Sequence, residues 1–217
     1  MSTIAQSIIE SPADGRTDLV GMSRAELATL FESLGLPQFR VKQVWHWIYH
    51  HGSRDFTEMT TISKDMQRQM AELFVISRPS IATEQTSTDR TRKWLMKFGD
   101  GKMAEAVHIP DNDRGAVCMS AQVGCTLTCK FCHTGTQRMV RNLTPAEIVG
   151  QFMLARDSYG EWPSSKEPRQ LTNIVMMGMG EPLANYDNLI RALEIFNSSW
   201  GLNIGARKIT VSTSGLA

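Results

Sequence analysis

The chain has 217 residues, of which 41% are hydrophobic and 21% charged, with a formal net charge of +1. That is an ordinary globular composition, long enough to bury one or two cores, and a near-neutral balance excludes a strong overall nucleic-acid field, so an RNA-binding surface would need local basic clusters. Glu10, Asp14, Arg16 and Asp18 interrupt any apolar run near the start that could serve as a leader or a membrane span, so a cytoplasmic, reducing setting is expected.

Residues 1–20 are polar and expected to be disordered. Ser23-Arg24-Ala25-Glu26 is a capping box, and Leu27, Leu30, Phe31 and Leu34 then recur at helical spacing until Gly35. A second helix is predicted from Phe39 to His50, with Val41, Val44, Trp45 and Ile48 on one face and Gly52 behind it. A third starts near Ser63 and carries Met66, Met70, Leu73 and Phe74. Together these predict a small helical domain over 21–78. His46, His50 and His51 have no carboxylate or thiol at ligand spacing and are expected on the helix surface, with Trp45 and Trp47 as packing residues.

The period changes near Ile81. Arg92 to Phe98 and Lys102 to Ile109 read as strands joined by Gly99-Asp100-Gly101, a hairpin linker within 79–113. Gly115 to Ala121 reads as a buried strand. Thr144-Pro145-Ala146-Glu147 then caps a helix running to about Ser158. After a polar connector over 163–168, Leu171 to Met177 is a second buried strand and Gly178 to Pro182 a loop. Asn185 to Asn197 is a helix and Arg207 to Thr213 a third strand. The order βαβαβ predicts an α/β fold with a parallel sheet over 114–217 and working loops at the C-terminal ends of its strands. A third strand with no helix behind it leaves an open edge, which reads as a truncated barrel.

The chemistry concentrates in Gly124-Cys125-Thr126-Leu127-Thr128-Cys129-Lys130-Phe131-Cys132-His133-Thr134-Gly135. Three thiols at these spacings can wrap a loop around one inorganic centre, and three thiolates on a four-iron, four-sulfur (4Fe–4S) cluster leave one iron open to a substrate. The alternative is a structural zinc site completed by His133 or Cys118, although zinc sites usually pair two knuckles and only one is present. The C-x-x-x-C-x-x-C spacing with Phe131 before the last Cys resembles the signature of radical S-adenosylmethionine (SAM) enzymes, whose open iron chelates SAM. That resemblance assigns Cys125, Cys129 and Cys132 to the cluster. Gly178-Met179-Gly180-Glu181-Pro182 resembles the family's G-E-P motif: Gly180 would let backbone approach SAM, and the Glu181 carboxylate or nearby carbonyls would accept from its ammonium. Ser212, on the third strand, could reach the ribose or carboxylate of SAM.

Cys118-Met119-Ser120-Ala121-Gln122-Val123-Gly124-Cys125, the loop continuing to Gln137, and Met176 to Pro182 together resemble the dual-specificity RNA methyltransferase family. The likeness extends to Phe39-Arg40-Val41-Lys42-Gln43-Val44-Trp45 and covers the first half of the family's barrel. It implies methylation of carbon 2 of an adenine in 23S ribosomal RNA and in transfer RNA. One SAM would methylate a cysteine near the family's C-terminus, and a second would be cleaved to the radical that activates that methyl group. Cys118 matches the second cysteine, which resolves the protein–RNA crosslink, and Glu105 matches a carboxylate assigned as proton acceptor. The resemblance further implies a flavodoxin-like reducing partner and a monomer. RNA contacts are expected from Arg40, Lys42, Arg90, Arg92, Lys93, Lys130, Arg138 and Arg141.

With three of four cysteines on the cluster and Cys118 the fourth, none is left to carry the methyl group, so the chain alone is expected to yield no methylated product. Competing readings are the sister family that methylates adenine at carbon 8 and a zinc-stabilised RNA-binding module without catalysis.

Overall fold

The computed structural model describes residues 15–112 and 114–215. A short strand, β1 (Thr17–Asp18), precedes α1 (Arg24–Ser33), α2 (Phe39–His46) and α3 (Lys64–Leu73), after which β2 (Phe74–Val75) pairs parallel with β1. The expected disorder over 1–20 does not hold for residues 17–20: Leu19 and Val20 are buried, and the Asp18 carboxylate accepts from the backbone N–H groups of Val20 and Ser77. Residues 1–14 lie outside the described part of the chain.

The capping box at Ser23 forms as predicted, with Ser23 Oγ accepting from Glu26 N at 3.1 Å and the Glu26 carboxylate from Ser23 N at 2.8 Å. The second helix departs from its expected course. Its last turn, Trp47–His51, widens into a π-turn and ends at Gly52 in the left-handed region, φ 76°. A Cβ at Gly52 would also overlap the Trp162 ring. Gly52→Ala is expected to cost about 2–4 kcal/mol, left-handed strain plus overpacking, read as a lowered urea midpoint without loss of folded baseline.

A long meander follows: β3 (Ser80–Thr86), β4 (Arg92–Lys97), β5 (Met103–Asp111) and β6 (Arg114–Cys118). β3 carries no apolar alternation because all seven of its side chains are exposed, so only its pairing with β4 reveals it. Beyond β6 come β7 (Gln122–Val123), β8 (Arg141–Asn142), α4 (Pro145–Tyr159), β9 (Asn173–Met176), α5 (Tyr186–Asn197) and β10 (Ile209–Val211). The predicted cap of α4 is present, with Thr144 and Glu147 exchanging hydrogen bonds and Pro145 in the first turn.

One six-stranded sheet runs in the order β10-β9-β6-β5-β4-β3, parallel among β10, β9 and β6 and antiparallel from β6 to β3. The expected hairpin is thus three antiparallel strands continuous with the parallel ones. Strand alternation gives this sheet two unlike faces. Trp94, Met96, Ala104, Ala106, Val117, Ile174 and Met176 are buried on one. His108 Nδ1 lies 2.8 Å from Tyr159 Oη and the Trp94 and Tyr159 rings meet at 6.2 Å, which identifies α4 as the cover of this face. Full burial of each large apolar side chain there contributes about 1.5–3 kcal/mol. In-register partners share a face, so Lys93, Leu95, Glu105, Val107, Ala116, Cys118, Asn173 and Val175 line the other, and all are only partly buried.

The helical unit and the sheet share one apolar core. Tyr49 Oη accepts from Gly21 N at 2.9 Å, His50 O accepts from Ser164 N at 2.7 Å, and Arg54 and Arg78 both reach Asp157. Glu26 of α1 pairs with Arg191 of α5. Among the described residues no helix is long and apolar enough to cross a membrane.

Candidate functional site

The loops that leave the C-terminal ends of β6, β9 and β10 converge on one edge of the sheet, where parallel α/β folds place their working residues. Backbone bonds fasten the first two together. Gly178 N donates to Met119 O at 2.9 Å, Ala121 N to Met179 O at 2.9 Å, and Met179 N to Ser120 Oγ at 2.9 Å. A Cβ at Gly178 would lie 2.7 Å from the Met119 carbonyl, and one at Gly180, φ 94°, 2.5 Å from the Gln122 side chain. Both glycines therefore let the β9 loop close on the β6 loop, a demand from within the chain that stands beside any ligand.

The cysteine loop is an excursion pinched at its base. β7 and β8 pair antiparallel, Gln122 opposite Asn142 and Val123 opposite Arg141, with a further bridge between Cys125 and Arg138. Gly124 has φ 77°, and a Cβ there would overlap the Arg138 carbonyl, so the excursion begins with a residue only glycine supplies without strain. Farther out, Cys132 N donates to Cys129 O at 3.1 Å and Gly135 N to Cys132 O at 3.0 Å, setting Cys129 and Cys132 on consecutive tight turns. A Cβ on Gly135 would approach Cys129 O to 2.8 Å. Phe131 projects into solvent at 93% exposure.

All four thiols are free and partly accessible. Hydrogen bonding from the Gly135 backbone, then from Thr134, holds the Cys132 thiol below its ordinary pKa and favours the thiolate, which is the iron-ligating form. With Cys125 and Cys129 the loop offers three sulfur donors, the ligand type that iron–sulfur clusters take.

Cys118 closes β6 opposite Val107 and Val175, and burial pushes its thiol up, against a smaller opposing bond from the Met177 backbone. Glu105 is two residues from Val107 on the same face, which places it diagonally across from Cys118, a neighbour relation that spans about 7–8 Å in antiparallel pairs. Lys93 Nζ pairs with the Glu105 carboxylate at 3.0 Å, and the Glu105 backbone carbonyl accepts from Ser120 Oγ at 2.6 Å.

Glu181 is 4% exposed, and its carboxylate accepts from four donors within the chain: Leu183 N at 3.0 Å, Thr213 Oγ1 at 2.6 Å, Ser214 N at 2.9 Å and Ser214 Oγ at 3.1 Å. The side chain thus lashes the β9 loop to the segment after β10. Ser212 lies just past the end of β10, exposed, with its N–H directed at Met176 O, 3.4 Å.

Sequence reasoning missed the polar groups that tie the site from behind. Gln151 of α4 is fully buried, accepting from Ser120 N at 2.9 Å and donating to Ser120 O at 3.0 Å. Asn185 donates to Ala121 O at 2.9 Å and Leu143 O at 2.7 Å. A lone amide in the run Ile148-Val149-Gly150-Gln151-Phe152-Met153 was the available signal, since a buried polar group needs partners. Among the expected RNA-contacting residues, Arg141 is committed to Glu147 and Asp100, Arg92 to Glu84 and Lys93 to Glu105, whereas Lys130 and Arg138 are exposed on the cysteine loop.

Residues 17–76 match the model of the ribosomal RNA large subunit methyltransferase N-terminal domain, and residues 119–217 that of the radical SAM superfamily. The chain is 63% identical over 208 residues to the dual-specificity RNA methyltransferase RlmN of Gluconobacter oxydans, covering 94% of this chain and 51% of the relative. It is 57% identical to that of Rhodospirillum rubrum, covering 97% and 49% respectively. The crystal structure of a radical SAM methyltransferase from Sphaerobacter thermophilus superposes with a TM-score of 0.82 at 39% identity, over 92% of this chain and 57% of that one. The chain spans about half the length of the curated relatives it matches. Over the half it spans, a helical unit followed by a segment that matches the radical SAM superfamily, the chain is similar to the dual-specificity RNA methyltransferases.

Proposed function

We propose that this chain carries the SAM-binding, radical-generating half of an enzyme that methylates carbon 2 of adenine in 23S ribosomal RNA and in transfer RNA. The observation that carries the reading is the placement of the three-cysteine loop over the same strand ends that hold Cys118 and the Gly180–Glu181 loop. Cys125, Cys129 and Cys132 would hold a 4Fe–4S cluster, which when bound supplies the electron that splits SAM. Gly180, Glu181 and Ser212 belong to the SAM pocket. Because the Glu181 carboxylate already accepts from four internal donors, the ammonium of SAM would be taken by backbone carbonyls of its loop.

Cys118 and Glu105 share the open face of the sheet, where an extruded base would lie. Glu105, paired with Lys93, is the carboxylate on that face that would receive the proton, while a thiol kept protonated by burial suits Cys118 to a later step. Lys130 and Arg138 flank the loop and suit phosphate contacts. A flavodoxin-like donor, monomeric state and cytoplasmic setting complete the reading.

The test is anaerobic iron–sulfur reconstitution followed by SAM and reductant. A brown protein that releases 5′-deoxyadenosine is expected, and a colourless zinc-loaded one would favour the RNA-binding module instead. With RNA added, this chain alone is expected to give no methylated adenosine, because its four cysteines leave no methyl carrier. Finding 2-methyladenosine by mass spectrometry would overturn that requirement. In the longer relatives, 8-methyladenosine in its place would point to the sister chemistry.

A further inference from the structure

The three histidines expected on the surface of the second helix are gathered by its π-turn into one cluster. In a regular α-helix, His51 would sit about 140° around the axis from His46, facing away from it. The i→i+5 bonding over Trp47–His51 takes up an extra residue and turns His51 back beneath its neighbours. His46 and His50 stack with ring centroids 4.3 Å apart, and His51 stands edge-on to both, at 4.9 Å and 5.1 Å. One ring nitrogen from each of the three lies within 4.8 Å of the other two.

A second observation concerns how one ring is held. His46 Nδ1 is 3.2 Å from the Trp200 carbonyl. A carbonyl only accepts, so this bond places the proton on Nδ1 and leaves the lone pair on Nε2. Ligating histidines are oriented in this way, by a hydrogen bond from the ring nitrogen that does not bind the ion. His51 is exposed and the other two are half-buried, so the cluster is open to solvent.

We propose that His46, His50 and His51 form a divalent transition-metal site of the zinc class, separate from the cysteine loop, with water completing the coordination. The ligand set decides the class: three imidazoles without a carboxylate suit zinc, nickel or copper and give calcium and magnesium nothing to bind. A tetrahedral ion with bonds of about 2.0–2.1 Å needs its nitrogens about 3.3–3.4 Å apart, which modest ring rotations supply. Arg156, buried between the Phe152 and Trp162 rings, is a cation felt by His50 and opposes the ion. Occupancy would fix the π-turn against the Trp200 segment, joining the helical unit to the connection between α5 and β10.

Cobalt(II) is the probe, added to the full chain after iodoacetamide has blocked the loop thiols so that they cannot compete. One equivalent is expected to bind, with visible d–d bands but no sulfur-to-metal charge transfer, and with a rise in melting temperature. His51→Gln and His46→Gln should each weaken binding by at least about tenfold and remove the rise, with circular dichroism confirming that both fold. Absence of saturable binding, or unchanged affinity in both variants, overturns the site.

Discussion

Replacing Cys129 by Ala is expected to abolish iron retention and SAM cleavage in a chain that still folds. Cys129 contributes its backbone carbonyl to Cys132 N and its peptide to the close packing of Gly135, and alanine keeps both. Only the sulfur is lost. Even an outer-shell partner of a metal ligand is worth about 10–100-fold in metal affinity, so loss of a ligand itself should exceed ~100-fold. Iron content, the visible spectrum and 5′-deoxyadenosine yield after anaerobic reconstitution measure this, with the melting temperature as control. Unchanged iron and unchanged cleavage in the variant would remove the basis of the proposed cluster.

The second large effect is expected at Glu181, where Glu181→Gln should cost about 2–4 kcal/mol. Its carboxylate collects four hydrogen bonds at 4% exposure, and an amide would set its own N–H₂ against donors now aimed at oxygen. At roughly 2–4 °C per kcal/mol for a chain of this size, the melting temperature should fall by about 4–16 °C. Burial alone would push the carboxyl up, but the bonds from Ser214, Thr213 and Leu183 together hold it below its ordinary value. A carboxyl whose folded pKa is depressed contributes stability above its unfolded value, about 4.3, and loses it as pH falls through the folded one. Wild type and Glu181→Gln should therefore differ most near neutral pH and converge in acid. A pH-independent gap would show that the carboxylate's charge is not what binds the two loops.

Local signals marked much of this fold. The capping boxes at Ser23 and Thr144 work through neighbours three residues away, and both form. The βαβαβ order likewise survives into parallel pairing of β6, β9 and β10. β3 escaped because an edge strand exposed on both faces has no alternation to read, and the widened turn at Trp47–His51 escaped because a 3.6-residue period does not report a one-residue excess. The cysteine loop was legible because its chemistry requires fixed spacing. The internal anchoring of Glu181 was not, since Thr213 and Ser214 reach it from 32 and 33 residues away.

The two-sided character of the sheet also constrains how this lineage can drift. Inserting or deleting one residue within Met103–Asp111 would exchange Glu105 with its neighbours Ala104 and Ala106, turning a charge into the dry layer beneath α4 and two methyl groups toward the open side. Length changes in that strand must therefore arrive in pairs or be absorbed as a bulge, whereas the turn at Asn112, already at φ 51°, is the natural place for the chain to grow.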